Sequence, residues 1–388
     1  MLNSRIRKLN SIYGASPINL TLSSIKTFIF SLYAIHKFGQ EQFRLWFVMT
    51  GIVFGFQAIG RSAILEPFLL KRLGIDNLKK VYIWLTTTSF LVMTIVVMVF
   101  LHHKLLISVF LGFGAAATLI CDRAKYVSYR YLSRRTFYSE GITLLLSVLV
   151  ILLANTIGQI QRDYLVMSVQ FHFIPIVSLI LLSRKRKTTQ NQLKSDSTVS
   201  EYQKLIKVTL PIAILALIFS HILILYMQEI FNVNDLKVLK SIEVSLMPSR
   251  NILSQIWTSR LVHKGRDNLI SSNSYLSGIF LLFTLTSAVL ISMILFSSAH
   301  SITFYCILFC YSLGFSLSFH NQPFIADLLM RNGFVRLWFS SFWHYILGIG
   351  IFLIVGENTS LLSFAVLYNL GLWINLAFAN LQNTKLKP

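Results

Sequence analysis

Apolar runs of membrane length, each ended by a short polar or basic break, follow one another along almost the whole chain. A spanning helix needs about 20 mostly apolar residues. The pattern predicts such helices over 15–35, 45–65, 81–101, 105–121, 141–158, 164–183, 208–228, 236–258, 274–297, 302–324, 337–356 and 361–381. The stretch 268–326 contains no Asp, Glu, Lys or Arg and is far too long for one helix, so it divides at S-S-A-H-S (297–301). The least apolar span is 236–258, which carries Lys237, Lys240, Glu243 and Arg250.

The basic residues decide whether that span belongs. With twelve spans and an internal N-terminus, nearly all Lys and Arg fall on one side, the side expected to be cytoplasmic. Only Lys37, Arg44, Lys104, Arg162, Lys237 and Lys240 fall on the other, and Lys26 lies inside the first helix. Removing span 236–258 would carry Arg260, Lys264, Arg266, Arg331 and Arg336 outside and spoil the bias. The span centres also repeat at a separation of about half the chain, with Pro17 and Pro211 at matching starts. Proline costs least there, because the first-turn amide has no intrahelical partner in any case. The expected fold class is all-α integral membrane, about twelve transmembrane helices in two six-helix bundles of parallel topology. The halves are 1–183 and 205–388, joined by a basic, polar cytoplasmic linker, 184–204.

Composition narrows the class. Hydrophobic residues make up 55% of the 388 and charged residues 13%, with a mean hydropathy of +0.66. A soluble domain carries roughly 25% charged residues, so a polytopic membrane protein is expected, with the bilayer as its surroundings. The net charge of +21 is then a topology signal at loop ends, and no nucleic-acid partner is expected. Cys121, Cys306 and Cys310 lie in or beside apolar runs and read as small core residues, neither a disulfide framework nor a metal site. The first apolar segment is long and has no small-residue cleavage site, so it is expected to be a retained helix rather than a signal peptide.

Charges inside the spans carry the candidate chemistry, because an intramembrane ionisable group must face a partner or a water-filled cavity. In span 236–258, Lys240, Glu243, Met247, Arg250 and Ser254 fall at helical spacings on one stripe, with Pro248 between Glu243 and Arg250. Cavity lining is the functional reading, and a buried ion pair that fixes packing is the plain one. Lys26 lies near the middle of the first span, either as a cavity-facing cation or paired with a carboxylate elsewhere. Arg61 lies in the cytoplasmic half of the second span, and Glu66 near its end. These positions supply more cations than acids, a balance suited to an anionic ligand such as a diphosphate. Asp122 and Arg123 in C-D-R-A-K-Y (121–126), and Asp327 and Arg331 in A-D-L-L-M-R (326–331), stand at equivalent ends of spans in the two halves. They are candidates for a cytoplasmic mouth, although ordinary positive-inside anchoring accounts for many arginines there. His172, His221, His320 and His344 have no metal-ligand spacing and read as satisfied polar groups inside the bundle.

F-G-Q-E-Q-F at 38–43, G-R-S-A-I-L-E-P-F-L-L-K-R at 60–72, D-R-A-K-Y at 122–126 and S-I-E-V-S-L-M-P-S-R-N-I-L at 241–253 resemble one transporter group. It is the polysaccharide-transporter branch, with the O-antigen flippases, of the multidrug/oligosaccharidyl-lipid/polysaccharide flippase superfamily. In helical order the resemblance covers nearly the whole chain. Arg44, where such proteins more often carry glycine, and the missing proline near Gln40 depart from the pattern at the first outer turn.

The resemblance implies a bacterial cytoplasmic-membrane protein, both termini inside, that flips a lipid-linked oligosaccharide by alternating access for surface polysaccharide synthesis. Its partner would be a polyprenyl diphosphate carrying sugars, with energy from a cation gradient or the membrane potential. The resemblance also implies that the two bundles surround a central cavity. Lys26, Arg61, Glu243 and Arg250 would line the cavity, with Glu66 and Lys240 beside them, and the Asp122 and Asp327 clusters would flank its mouth. The alternative is a drug or small-metabolite exporter of the same superfamily, for which more cavity carboxylates are expected. A major-facilitator carrier would show a glycine-and-Asp-Arg loop after the second helix, where K-R-L-G-I-D-N-L-K-K stands at 71–80. A membrane glycosyl-polymerase would need a sizeable outer loop, and the expected outer loops are all short. The sequence has no P-loop, no Rossmann glycine fingerprint and no nucleophile motif, so no enzymatic activity and no cofactor are expected.

Overall fold

The computed structural model describes residues 17–65, 75–99, 102–103, 105–130, 134–183, 230–263, 274–296 and 301–330, with positions 207, 210–211, 214, 360, 362–366 and 369. The chain forms two compact units, Met1–Ile206 and Lys207–Pro388. All regular structure among the described residues is helical.

In the first unit, α1 is Pro17–Lys37, α2 is Gln40–Ile59, α3 is Ile75–Val99, α4 is Leu105–Arg130 and α5 is Arg134–Ala154. The last helix, α6, is Gln159–Ser183 and contains a π-helical turn at Val169–Phe173. A second π-helical segment, Gly60–Leu65, continues α2. The second unit contains α7, Val233–His263, α8, Ser274–Leu295, and α9, Ile302–Met330. Five of the described helices, all in the first unit, are long and apolar enough to cross a membrane. Expected spans 208–228, 337–356 and 361–381, and the linker 184–204, lie wholly or largely outside the described residues.

Several boundaries differ from those expected. The span 105–121 runs on to Arg130, and 141–158 begins at Arg134. In both places charged residues end the apolar run without ending the helix. They continue it because Asp122, Lys125 and Glu140 find opposite charges on neighbouring segments. Helix α7 passes through Pro248 without a break in the helical run. Pro17 is the first described residue of α1.

The apolar surface divides into a core and a lipid-facing side. Helix α2 is buried round most of its circumference, with Phe43, Trp46, Met49, Val53 and Phe56 in the core. Helices α3 and α5 bury the smaller part of their residues and expose apolar side chains, as at Ile83, Leu91, Leu145 and Leu152. An apolar surface of that extent belongs against lipid, since monomeric soluble proteins rarely expose such patches to water.

The turn between α1 and α2 is held by the start of α6. The backbone N–H of Gly39 donates to the Asp163 carboxylate (3.0 Å), and Arg162 donates through Nη2 to the Lys37 carbonyl (2.9 Å). Asp163 is fully buried and also accepts from Arg162 Nε at 3.3 Å. At Gly39 a Cβ would lie 2.7 Å from the Gln42 side-chain oxygen, so a larger residue would need that side chain to shift. Phe38 sets its ring edge-on against Trp46, and the Trp46 indole N–H donates to Gln170 at 2.8 Å. The F-G pair at 38–39 is thus a packing and clamping device.

Helices α3 and α4 form the most extensive helix pair. Gly112 lets them approach, since a Cβ there would stand 2.9 Å from the Phe90 backbone carbonyl and 2.4 Å from Thr94 Oγ1. A backbone atom cannot swing aside. Gly112→Ala is expected to destabilise the protein by about 1–3 kcal/mol through overpacking. Gly141→Ala, with nothing within 4 Å, is expected to be neutral or stabilising by up to about 1 kcal/mol through helix propensity. Thermal unfolding of the detergent-purified variants checks both.

Candidate functional site

Five charged side chains of the first unit form one array. Asp122 on α4 accepts two hydrogen bonds from Arg61, from Nε at 2.9 Å and from Nη2 at 2.7 Å. This fork-to-fork geometry fixes the guanidinium in a plane as well as at a distance. Three residues further along the same helix, Lys125 reaches Glu140 of α5 at 2.7 Å. Residues three apart are neighbours on a helix surface, so α4 presents Asp122 and Lys125 together. Glu140 also accepts from Lys26 of α1, whose ammonium donates in addition to Thr143 Oγ1 at 2.6 Å. The order is Arg61, Asp122, Lys125, Glu140, Lys26, with signs that alternate and cations at both ends.

Burial is uneven along this chain of charges. Glu140 is fully enclosed, and Lys26 and Asp122 are within a few per cent of it. The Arg61 side chain is 43% exposed. Side-chain surface remains at the Arg61 end, while the Lys26 end is sealed by protein.

Local structure places Arg61. It is the second residue of the π-helical segment Gly60–Leu65, and π turns recur at functional sites, where the wider turn re-aims side chains. Gly60 lets that segment lie against α3, since a Cβ there would be 2.8 Å from the Tyr82 hydroxyl and 3.1 Å from Leu85 Cδ2. The ring of Tyr126 lies 6.0 Å from the Arg61 guanidinium carbon, within cation–π range. The Tyr82 hydroxyl is buried and has no hydrogen-bond partner. Arg123 stands next to Asp122 with intermediate exposure.

Of the residues singled out from the sequence, the structure brings Arg61 and Asp122 into direct contact, with Arg123 adjacent. Lys26 joins the same array through Glu140 and Lys125. Lys26 meets a carboxylate, the second of its two sequence readings. In the second unit, Lys240 donates to Glu243 at 2.7 Å along α7. Lys240 is buried and the Glu243 side chain is 39% exposed. Glu66 and Arg331, and the side chains of Arg250 and Asp327, lie outside the described residues. His172 is satisfied at one nitrogen only: Nε2 lies 2.6 Å from the Phe110 carbonyl and the ring stacks on Phe110 at 4.0 Å, while Nδ1 is buried without a hydrogen-bond partner. The side chains of the other three histidines lie outside the described residues. Among the described residues no group of three His, Cys, Asp or Glu is placed to hold a metal ion.

Glu140 and Lys125 are the site residues that the sequence reading missed. Glu140 stands one residue before the expected start of its span, where it reads as interfacial. The signal available was scarcity: with only 14 acidic residues in the chain, a mid-membrane lysine has few candidate partners, and those at span edges belong among them.

Removing one member of a buried ion pair leaves its partner unpaired in a medium that solvates it poorly, at a cost of about 3–5 kcal/mol. Glu140→Ala strands two ammonium groups and is expected to fall in that range or above. Lys26→Met leaves Glu140 held by Lys125 and is expected to cost less. Melting of the purified variants measures the order, and equal losses would contradict the shared-carboxylate arrangement.

Comparison with known proteins gives fold-level likeness. No protein-family model matches the sequence, and no curated protein matches it. Among solved structures, one described as an inward-facing conformation of a multidrug resistance MATE family transporter of the MOP superfamily matches with a TM-score of 0.56 and 11% identity. The match covers 96% of this chain and 95% of that one. A second, described as MATE in the bent conformation, matches with a TM-score of 0.52 and 13% identity, over 97% and 95% of the two chains. At those identities the likeness concerns the fold, and the chain is a multi-pass, all-helical membrane protein with the fold of MATE transporters of the MOP superfamily.

Proposed function

We propose that this protein is a secondary transporter of the multidrug/oligosaccharidyl-lipid/polysaccharide superfamily, and that it flips a lipid-linked oligosaccharide across the bacterial cytoplasmic membrane. The observation that carries the reading is the charge array of the first unit. Among the described residues it holds Arg61, Lys125 and Lys26 against Asp122 and Glu140, one cation more than its carboxylates, and its more exposed end is an arginine. A membrane interior keeps an excess cation only where an anion or water reaches it. A polyprenyl diphosphate meets that requirement: its phosphates suit a guanidinium fork, its sugars suit polar surroundings, and its tail stays in lipid. Lys240, Glu243 and Arg250 of α7 are the corresponding candidates in the second unit, and the Asp327–Arg331 segment the matching mouth. The mechanism is alternating access, with a cation gradient or the membrane potential as the driving force.

Export of a drug or small metabolite is the second reading, favoured by the multidrug description of one structural neighbour. The two diverge in cells. Flipping predicts that loss of the gene makes undecaprenyl-linked repeat units accumulate and depletes surface glycan. No accumulation and unchanged glycan would overturn flipping, and new sensitivity to toxic cations would then mark an exporter. Glu243→Gln and Arg250→Ala are each expected to abolish complementation while the protein stays in the membrane. Full complementation by both would leave α7 a structural role.

A further inference from the structure

The Arg61–Asp122 contact combines two properties that pull in opposite directions. Asp122 is buried and needs a donor, whereas Arg61 is 43% exposed and lies at the open end of an array with a surplus cation. Beside them is a donor with nothing to do. The Tyr82 hydroxyl is buried without a hydrogen-bond partner. It packs against Gly60, the residue that precedes Arg61 in the same π-helical segment. A buried hydroxyl left unsatisfied is costly, and such a group in a native site calls for an explanation.

We propose that Arg61 is an exchangeable anion-binding arm: its guanidinium rests on Asp122, passes to a phosphate of the ligand, and leaves Tyr82 to donate to the vacated carboxylate. Asp122 is then a resident counter-anion that holds the arm in a plane until phosphate competes for it, and Tyr82 lowers the cost of the exchange. Phosphate offers the same fork geometry as the carboxylate with more charge. The Tyr126 ring, at 6.0 Å, keeps the guanidinium over an aromatic face. No covalent bond changes; hydrogen bonds are exchanged between two acceptors and two donors. The inference rests on the reading of the ligand as a lipid diphosphate and adds the residues that admit it.

The test is binding of inorganic pyrophosphate and of farnesyl diphosphate to the full-length protein in detergent, by calorimetry, alongside melting of the ligand-free protein. Arg61→Gln is expected to weaken binding by about tenfold or more, as loss of a charge-assisted fork should. Asp122→Asn is expected to tighten binding several-fold by removing the competing anion. Tyr82→Phe is expected to weaken binding several-fold in the wild-type background and to have no effect in the Asp122→Asn background. It is also expected to leave the ligand-free melting temperature unchanged or raised, because the hydroxyl has no partner at rest.

Asp122→Asn protein that folds but binds no more tightly overturns the exchange. Should that variant fail to fold, Tyr82→Phe decides alone: undiminished affinity, or a lowered ligand-free melting temperature, overturns it. Tighter binding of farnesyl diphosphate than of pyrophosphate supports the arm with a lipid source of phosphate, and equal binding supports it with a free anion. Binding is measured on purified protein and flipping in cells, so the two fail separately. Diphosphate binding with this variant pattern but no flipping retains the arm, and flipping without it removes the arm alone.

Discussion

The first unit depends on a single constraint: charged side chains placed where lipid and apolar protein cannot solvate them must solvate one another. Arg61, Asp122, Lys125, Glu140 and Lys26 meet it as one array that crosses from the α2 extension through α4 and α5 to α1. Four parts of the chain, distant in sequence, are registered by it. Slipping α4 along its axis by one turn would separate both Asp122 and Lys125 from their partners. Apolar packing alone tolerates such slips better, because one leucine can stand in for another. The array therefore supplies positional specificity to a bundle whose other contacts are largely interchangeable.

A second polar knot does the same at the other end of the first two helices. Asp163, Arg162 and the Gly39 amide pin the turn between α1 and α2 to the start of α6. Between these two polar levels the interior is aromatic and aliphatic, with Phe43, Trp46, Met49 and Phe56 of α2 at its centre. Helix α2 is thus held at both ends by ionic contacts and along its length by packing. Its π-helical continuation, Gly60–Leu65, departs from that regular frame and carries Arg61. Irregular backbone at membrane depth is tolerated where it is buried in protein or lines water, and here it coincides with the exposed end of the array.

The uneven burial of the charges links this architecture to function. A fully sealed array would only hold helices together, and a fully exposed one would be screened by water. With Lys26 and Glu140 sealed, the positive field of the array is least enclosed at its Arg61 end. Such a field suits recognition of an anionic group on a lipid whose remaining parts need only a polar or an apolar environment. The ion pair of α7 is more local: Lys240 and Glu243 satisfy each other three residues apart, without calling on a second helix for that contact.

What the sequence determined by itself was everything that depends on periodicity and solvent: membrane spans from the length of apolar runs, and suspicion of Lys26, Arg61, Asp122 and Glu243 from charge in an apolar setting. Those properties are local and survive without knowledge of neighbours. Only the tertiary structure decided that Asp122 continues a helix instead of ending it, that Glu140 lies inside rather than at an interface, and that Lys125 shares Glu140 with Lys26. Each of those outcomes depends on a partner 15 to 114 residues away, and a charge ends a buried helix or extends it according to whether that partner is there. The π turn at Gly60 belongs to the same class, since Gly60 reads as an ordinary small residue until Tyr82 and Leu85 of α3 are seen packed against it.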